Sequence, residues 1–159
     1  MKLLKRAPGK WVFRLSRRDR EALQTTLWLR TVLVRKPRSL SSDTITSNSL
    51  RSAQDDLDQA LQEHRQDLTR NVDDLLKDPK RCVVAENGSC DLTLTSDDVE
   101  TLLQALNEVR VGAWEKLGHP NFEAGEVPEP DEDNLHAYWA LQLTDAFQDL
   151  LLMAISDED

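Results

Sequence analysis

The stretch FRLSRRDREAL, residues 13–23, returns in altered form as LTLTSDDVETL, residues 92–102. Each copy begins with alternating apolar residues, a period of two that predicts a short β-strand. A hydroxyl residue then stands three places before an acid, a spacing that favours a helix N-terminus. The residues concerned are Ser16 and Asp19 in the first copy and Thr95 and Asp98 in the second. The sequence therefore predicts the same strand-to-helix junction twice.

Apolar residues at helical spacing predict four helices. The first helix is expected to stop before Pro37, because a proline disfavours helical backbone in the residue that precedes it. The predicted bounds are Arg17–Lys36, Leu50–Lys77, Ser96–Leu117 and Asn134–Ile155. The last helix is apolar over most of its circumference, so we expect the other three to pack around it.

A β-hairpin is predicted between the second and third helices. Asn87 and Gly88 separate two apolar runs, and Asn-Gly favours a two-residue turn with positive φ. That register places Cys82 and Cys90 on opposite faces, which argues against a disulfide between them. Together with a strand over Trp11–Leu15, the hairpin would form a small sheet that must lie against the helices.

The predicted fold class is mainly α. We expect a single domain over residues 1–159, like a four-helix bundle with a small two- or three-stranded antiparallel sheet. Three segments lie outside these elements: a basic N-terminal arm (1–10), an acidic, proline-containing loop (119–133) and an acidic tail (156–159). No apolar run is long enough for a signal peptide or a membrane span, so we expect a cytoplasmic protein.

The sequence contains no motif for catalysis or cofactor binding. The two cysteines match no zinc spacing, the three histidines form no metal motif, and no Gly-rich phosphate loop is present. We therefore predict no catalytic residue, no cofactor and no metal. An enzyme is only the third functional hypothesis, after two kinds of binding protein.

Charge is distributed unequally along the chain. The net charge is −9, but residues 1–51 carry thirteen Lys and Arg against three acids, and the remainder carries seven against twenty-six. The basic segment indicates an anionic partner, either nucleic acid or an acidic protein surface, or else it neutralises the chain's own acidic loop and tail or is simply a solvated face, and we favour the latter interpretation. The candidate anion contacts are Lys10, Arg14, Arg17, Arg18 and Arg20.

Two stretches resemble a known family. LLQALNEVRVGAWEKLG (102–118) and HAYWALQLTDAFQDLLL (136–152) are similar to the bacterial domain-of-unknown-function family 2017, as is the opening GKWVFRLSRRDREAL. The matching positions are Leu106, Asn107, Glu108, Val109, Arg110, Gly118, Tyr138, Trp139, Gln148 and Leu150 to Leu152. The resemblance implies a fold without an activity. Some members resemble chromosomal neighbours of the Clp protease's N-degron adaptor, which implies a loose link to protein turnover.

Three further residues are candidates for contact with a partner. Arg110 lies on the apolar stripe of the third helix, where it either anchors a partner's anion or bridges to Asp145 or Asp149. Trp139 and Phe147 on the last helix indicate a dimer or partner interface if the bundle leaves them uncovered. The favoured function is an interaction or regulatory protein that acts through protein contacts or self-association. The alternative is a nucleic-acid-binding regulator that uses the basic segment, and no membrane partner is expected.

Overall fold

The computed structural model describes residues 1–33 and 48–156. Within these ranges the strands form one antiparallel sheet in the order β1-β2-β4-β3, and the helices pack on one of its faces. The elements are β1 (Lys2–Ala7), β2 (Lys10–Leu15), α1 (Arg17–Leu33), α2 (Asn48–Lys77), β3 (Cys82–Val84), β4 (Cys90–Thr95), α3 (Ser96–Lys116) and α4 (Leu135–Ser156). The prediction of a mainly helical chain with an antiparallel sheet is confirmed, but the sheet has four strands.

The element bounds agree with the predicted ones to within about two residues where the chain is described. The predicted end of the first helix, residues 34–36, and the end of the acidic tail, residues 157–159, lie outside the described ranges. The acidic loop is mostly exposed and includes one 3₁₀ turn, Phe122–Ala124.

The predicted basic arm is largely the edge strand β1. Lys2 pairs with Arg14, and Ala7 pairs with Lys10 beside a tight turn in which Gly9 has a φ of +64°. This strand was not predicted, because KLLKRA shows no alternation of apolar and polar residues. Its pairing with β2 determines its conformation, and pairing of this kind is a tertiary effect that local propensity does not contain.

The hairpin between β3 and β4 has a three-residue loop instead of the predicted two-residue turn. The Ala85 N–H donates to the Ser89 carbonyl at 2.8 Å, and Gly88, with a φ of +79°, takes the left-handed position. This loop is the next most common hairpin connection after the two-residue turn. The extra loop residue shifts the pairing of the two strands by one position.

The one-residue shift brings both cysteines to the inward face of the sheet. Cys82 pairs with Leu92, and both thiols are buried and free. The prediction that the cysteines lie on opposite faces is therefore wrong, because a slip of one residue changes which side chains share a face. Burial, together with the neighbouring Cys82 thiol, raises the pKa of Cys90 to about 12.

The strands and helices of the first half of the chain recur in the second half at a constant offset in residue number. This offset equals the distance in sequence from Phe13 to Leu92. At this offset, α1 corresponds to residues 96–112 of α3, and residues 56–77 of α2 correspond to the whole of α4. Phe13 and Leu92 also pair directly between β2 and β4, so an approximate two-fold axis passes between them. The fold is thus a ββαα unit present twice, and the repeated sequence pattern is one trace of it.

Helix α3, and not the predicted fourth helix, lies at the centre of the helix layer. It packs against α1, α2, α4 and β4, whereas one face of α4 remains exposed. Trp11 is buried, and its indole N–H donates to the Ala154 carbonyl of α4 at 3.0 Å. The main core lies between the sheet and the helices, and its buried members include Phe13, Leu15, Leu23, Leu68, Val72, Leu92, Leu94, Leu102, Leu106, Phe147 and Leu151.

Gly112 allows α1 and α3 to approach each other closely. A Cβ atom at this position would lie 2.9 Å from the carbonyl oxygen of Leu33, a contact that real Cβ atoms do not make. Leu33 is also the residue that the repeat matches to Gly112. The two-fold axis that passes through the sheet therefore passes through this helix crossing as well.

Both predicted helix N-termini form capping boxes, in which a hydroxyl side chain and the acid three residues later each accept a hydrogen bond from the other residue's backbone N–H. The Asp19 N–H donates to Ser16 Oγ at 3.1 Å, while the Ser16 N–H donates to the Asp19 carboxylate at 2.9 Å. Thr95 and Asp98 make the same reciprocal pair, at 3.3 and 2.9 Å. Burial alone would raise the pKa of Asp98, but hydrogen bonds from Thr95 and Arg81 outweigh it and lower the pKa below its ordinary value.

We expect Asp98→Ala to lower the free energy of unfolding by about 1–2 kcal/mol at pH 7, because it removes a cap and a partner of Arg81. A depressed carboxyl pKa stabilises above the unfolded-state pKa, and this contribution is lost as pH falls through the folded-state pKa. The difference from wild type, measured by urea unfolding, should therefore shrink as pH falls from about 5 towards 2. Asp97→Ala is the control, and an equal loss there would contradict the assignment.

Candidate interaction surfaces

The outward face of the sheet carries basic side chains. Lys10 and Arg14 project from β2, and the strand register places Lys2 and Lys5 of β1 beside them. Arg14 donates two hydrogen bonds, of 2.7 and 2.8 Å, to the Asp91 carboxylate of β4, and they hold the pKa of Asp91 below its usual range. We call Lys2, Lys5, Lys10 and Arg14 the basic sheet face.

The arginines in the first turn of α1 are used in different ways. Arg17 pairs with Glu21 at 2.9 Å, and its methylene groups lie over Gly88 of the hairpin loop. Arg18 is exposed. Arg20 is half-buried, and its Nε has no hydrogen-bond partner within the described ranges. Of the five predicted anion contacts, the structure therefore places Lys10 and Arg14 together on the sheet and Arg17, Arg18 and Arg20 on a separate helix.

Arg110 is paired within the chain. Its Nε lies 3.3 Å from the Asp145 carboxylate, the first of the two bridging partners that the sequence suggested, and both side chains are about half-exposed. Burial and the nearby Asp149 raise the pKa of Asp145, and Arg110 opposes the rise. Arg110 is thus part of a surface ion pair between α3 and α4.

The two predicted interface residues of α4 lie on different faces. Trp139 is 55% exposed, but Phe147 is only 5% exposed and belongs to the main core. Eight residues advance an α-helix by about 80° beyond two full turns, enough to bring Phe147 against the neighbouring elements. The prediction of Phe147 as an interface residue is therefore wrong, since its side chain is buried within the chain.

Trp139 belongs to an apolar face that runs the length of α4. Four large side chains on it are exposed: Leu135 by 41%, Trp139 by 55%, Leu150 by 36% and Met153 by 67%. Ala146 is also exposed and Leu143 is half-buried. We call these six residues the α4 stripe. At a rise of 1.5 Å per residue the stripe is about 27 Å long.

The repeat supplies an internal comparison for this face. The matched positions of α2 are all exposed and are polar except for one alanine. They are Asp56, Ala60, His64, Asp67, Asn71 and Asp74, matched in order to Leu135, Trp139, Leu143, Ala146, Leu150 and Met153. The matched faces of α2 and α4 therefore differ: the face of α2 carries polar side chains, whereas the face of α4 carries apolar ones. Folding alone does not require the α4 stripe to be apolar.

A buried ion pair joins α1 to α3. The Arg30 side chain is 7% exposed, and its guanidinium donates to Glu108 at 3.2 Å, to the Thr69 hydroxyl and to the Arg65 carbonyl. Sequence analysis did not identify this cluster. A signal was available, because Arg30 follows Leu27 at a step of three on the inward face of the helix.

A groove of about 400 Å³ separates α1 from α2. Leu27, Val72 and Leu76 line it, Arg30 contributes to its wall, and Trp28 is exposed there. In the second half the matched helices, α3 and α4, pack directly against each other. Within the described residues, the two-fold relation between the halves therefore does not hold at this groove.

Comparisons with protein-family models, with curated proteins and with solved structures give no match for this chain. Among residues 1–33 and 48–156, no helix is long and apolar enough to cross a bilayer. Over the same ranges, no three or more His, Cys, Asp or Glu side chains are grouped so that they could hold a metal ion.

Proposed function

We propose that this protein is an interaction protein that acts through protein–protein contacts, with the α4 stripe as its contact surface. The observation that carries the proposal is the contrast between α4 and α2: the fold tolerates Asp, His and Asn at these positions, yet α4 has Leu, Trp and Met. A location in the cytoplasm and membership of domain-of-unknown-function family 2017 are further proposals, the latter supported by the residues that carry the resemblance.

The chemistry of the stripe supports a protein partner. Tryptophan and methionine are enriched at protein interfaces, and charged residues are depleted from interface centres. The stripe has no charged residue, and the charged side chains around it include Asp149 and the Arg110–Asp145 pair. Trp139 offers a large side chain of the kind that contributes most to binding energy.

A nucleic-acid-binding regulator is the second candidate, and the basic sheet face favours it. Lys2, Lys5, Lys10 and Arg14 share an outward face of the sheet, on which Asp91 pairs with Arg14. Phosphate contacts by these groups would give a binding constant that falls with salt, by a logarithmic slope of about 0.9 per contact. The outward residues Val12 and Thr93 supply no aromatic platform for stacking bases, which makes this the less favoured candidate.

Site-specific photo-crosslinking in cells of the source species tests the proposed function. A photoreactive amino acid replaces Trp139 on the α4 stripe, and Ala60, the matched position on α2, is replaced in the control. We expect protein adducts from position 139 and none above background from position 60, because only the first lies on an apolar face. Absence of adducts at both positions, or equal adducts, would overturn the proposed function. A third probe at Val12, on the basic sheet face, should give adducts with nucleic acid if the second candidate is correct.

A further inference from the structure

Building on the proposed function, we infer that the occupant of the α4 stripe is a second copy of this chain, packed against it with the two α4 helices antiparallel. The inference concerns the identity of the partner and its orientation. It follows from the order of side chains along the stripe, from the charges around it and from its area.

The stripe is nearly symmetric about its own midpoint. In an antiparallel pair of identical helices, a two-fold axis crosses the midpoint of the contact. Two residues then face each other when the sum of their residue numbers equals a fixed value. With the axis between Leu143 and Ala146, the facing pairs are Trp139 with Leu150 and Leu143 with Ala146, and Leu135 lies one residue out of register with Met153. Each pair is apolar. The small Ala146 lies near the axis, where it allows the helices to approach.

The charges also permit self-contact. No residue of the stripe is charged, so two copies bring no like charges together at the centre. Beside the stripe each copy presents Asp149 as well as Arg110 paired with Asp145, so charges of both signs are present on each side. The matched face of α2 would bring Asp56 near Asp74 in the same arrangement, and like charges that face each other across an interface are unfavourable.

The area is sufficient for a specific dimer of moderate affinity. Each copy contributes four large apolar side chains that are 36–67% exposed, over about 27 Å of helix. Burial of these groups from both copies removes about 900 Å² from water, and the residues that flank them bring the total to about 1,000 Å², the lower bound for a specific interface. Interfaces at this lower bound are typical of weak or transient association, so we expect a dimer that dissociates in the micromolar range.

Analytical ultracentrifugation of the full chain tests the partner. Wild type should change from monomer to dimer over a concentration range of about 1–200 µM. Trp139→Ala with Met153→Asp gives the stripe the residues that α2 has at the matched positions. This variant should keep the circular-dichroism spectrum and thermal midpoint of wild type and weaken the dimer at least about thirtyfold. Asp67→Ala with Asp74→Ala, on α2, is the matched control and should leave the dimer unchanged.

Disulfide trapping tests the orientation. Leu135→Cys and Met153→Cys are prepared as separate variants, with the native Cys82 and Cys90 retained because both are buried. An antiparallel pair should give a 135–153 cross-link when the two variants are mixed and oxidised, and little cross-link in either variant alone. A 135–135 cross-link as the main product would contradict the antiparallel arrangement.

The outcomes separate this inference from the proposed function. A wild-type protein that stays monomeric throughout the concentration range overturns the second copy as partner, as does a dimer that the stripe variant leaves unchanged. If position 139 nevertheless cross-links to a different protein in cells, the proposed function stands without this inference. If no adduct forms in cells, the proposed function fails as well.

Discussion

Glu108→Leu is expected to lower the free energy of unfolding by about 3–5 kcal/mol, because it leaves the buried Arg30 guanidinium without its carboxylate. The Thr69 hydroxyl and the Arg65 carbonyl still accept hydrogen bonds from Arg30, but neither neutralises its charge. Urea unfolding at neutral pH measures the change. Disruption of the exposed Arg17–Glu21 pair by Glu21→Leu is the control and should have a far smaller effect, since surface pairs are screened by water.

The two-fold relation suggests how the loss can be reversed. The repeat matches Arg30 to Val109 and Glu108 to Leu29, and these two apolar residues pack in one buried cluster. An apolar contact is therefore compatible with this helix crossing. Arg30→Met together with Glu108→Leu should recover most of the lost stability, as replacement of a buried ion pair by apolar residues is often neutral or stabilising. A double variant no more stable than Glu108→Leu alone would contradict the assignment.

Phe13→Ala is expected to lower the free energy of unfolding by about 3–5 kcal/mol. The ring is 1% exposed, lies at the centre of the sheet and pairs with Leu92 across the two-fold axis. Its removal leaves a cavity that elements from both halves would have to close. Thermal and urea unfolding measure the change.

Val12→Ala is the control for Phe13, because the neighbouring side chain projects from the opposite, outward face of the same strand. We expect a loss of about 1 kcal/mol or less there. Equal losses at the two positions would mean that both faces of the sheet are covered. That result would contradict the open outward face and, with it, the basic sheet face.

Features that depend on a few neighbouring residues were predictable from the sequence. The capping boxes at Ser16 and Thr95 and the bounds of the helices follow from short-range hydrogen bonds and apolar spacing. The strand β1 and the register of Cys82 were missed for the opposite reason. The first depends on pairing with β2, and the second on a loop one residue longer than the commonest turn for Asn-Gly.

The candidate site was only partly predictable. Trp139 and Phe147 look alike in a helix that is apolar nearly all round, since periodicity alone does not show which face the chain itself covers. The structure separates them and adds Leu150 and Met153 to the exposed side. The sequence also left open whether the basic and acidic parts of the chain meet. The pairs Arg14–Asp91 and Arg30–Glu108 join them directly.

The ββαα repeat has a consequence for how this chain could acquire its asymmetry. Two identical half-length chains, associated through their β2 strands, would carry every side chain twice, once on each side of the axis. Any mutation in their gene would then appear at both places. After duplication and fusion, each half could change independently: one crossing could take Arg30 and Glu108 while its mate kept Leu29 and Val109. Because the two halves could change independently, α4 could become apolar on a face where the matched face of α2 remained polar.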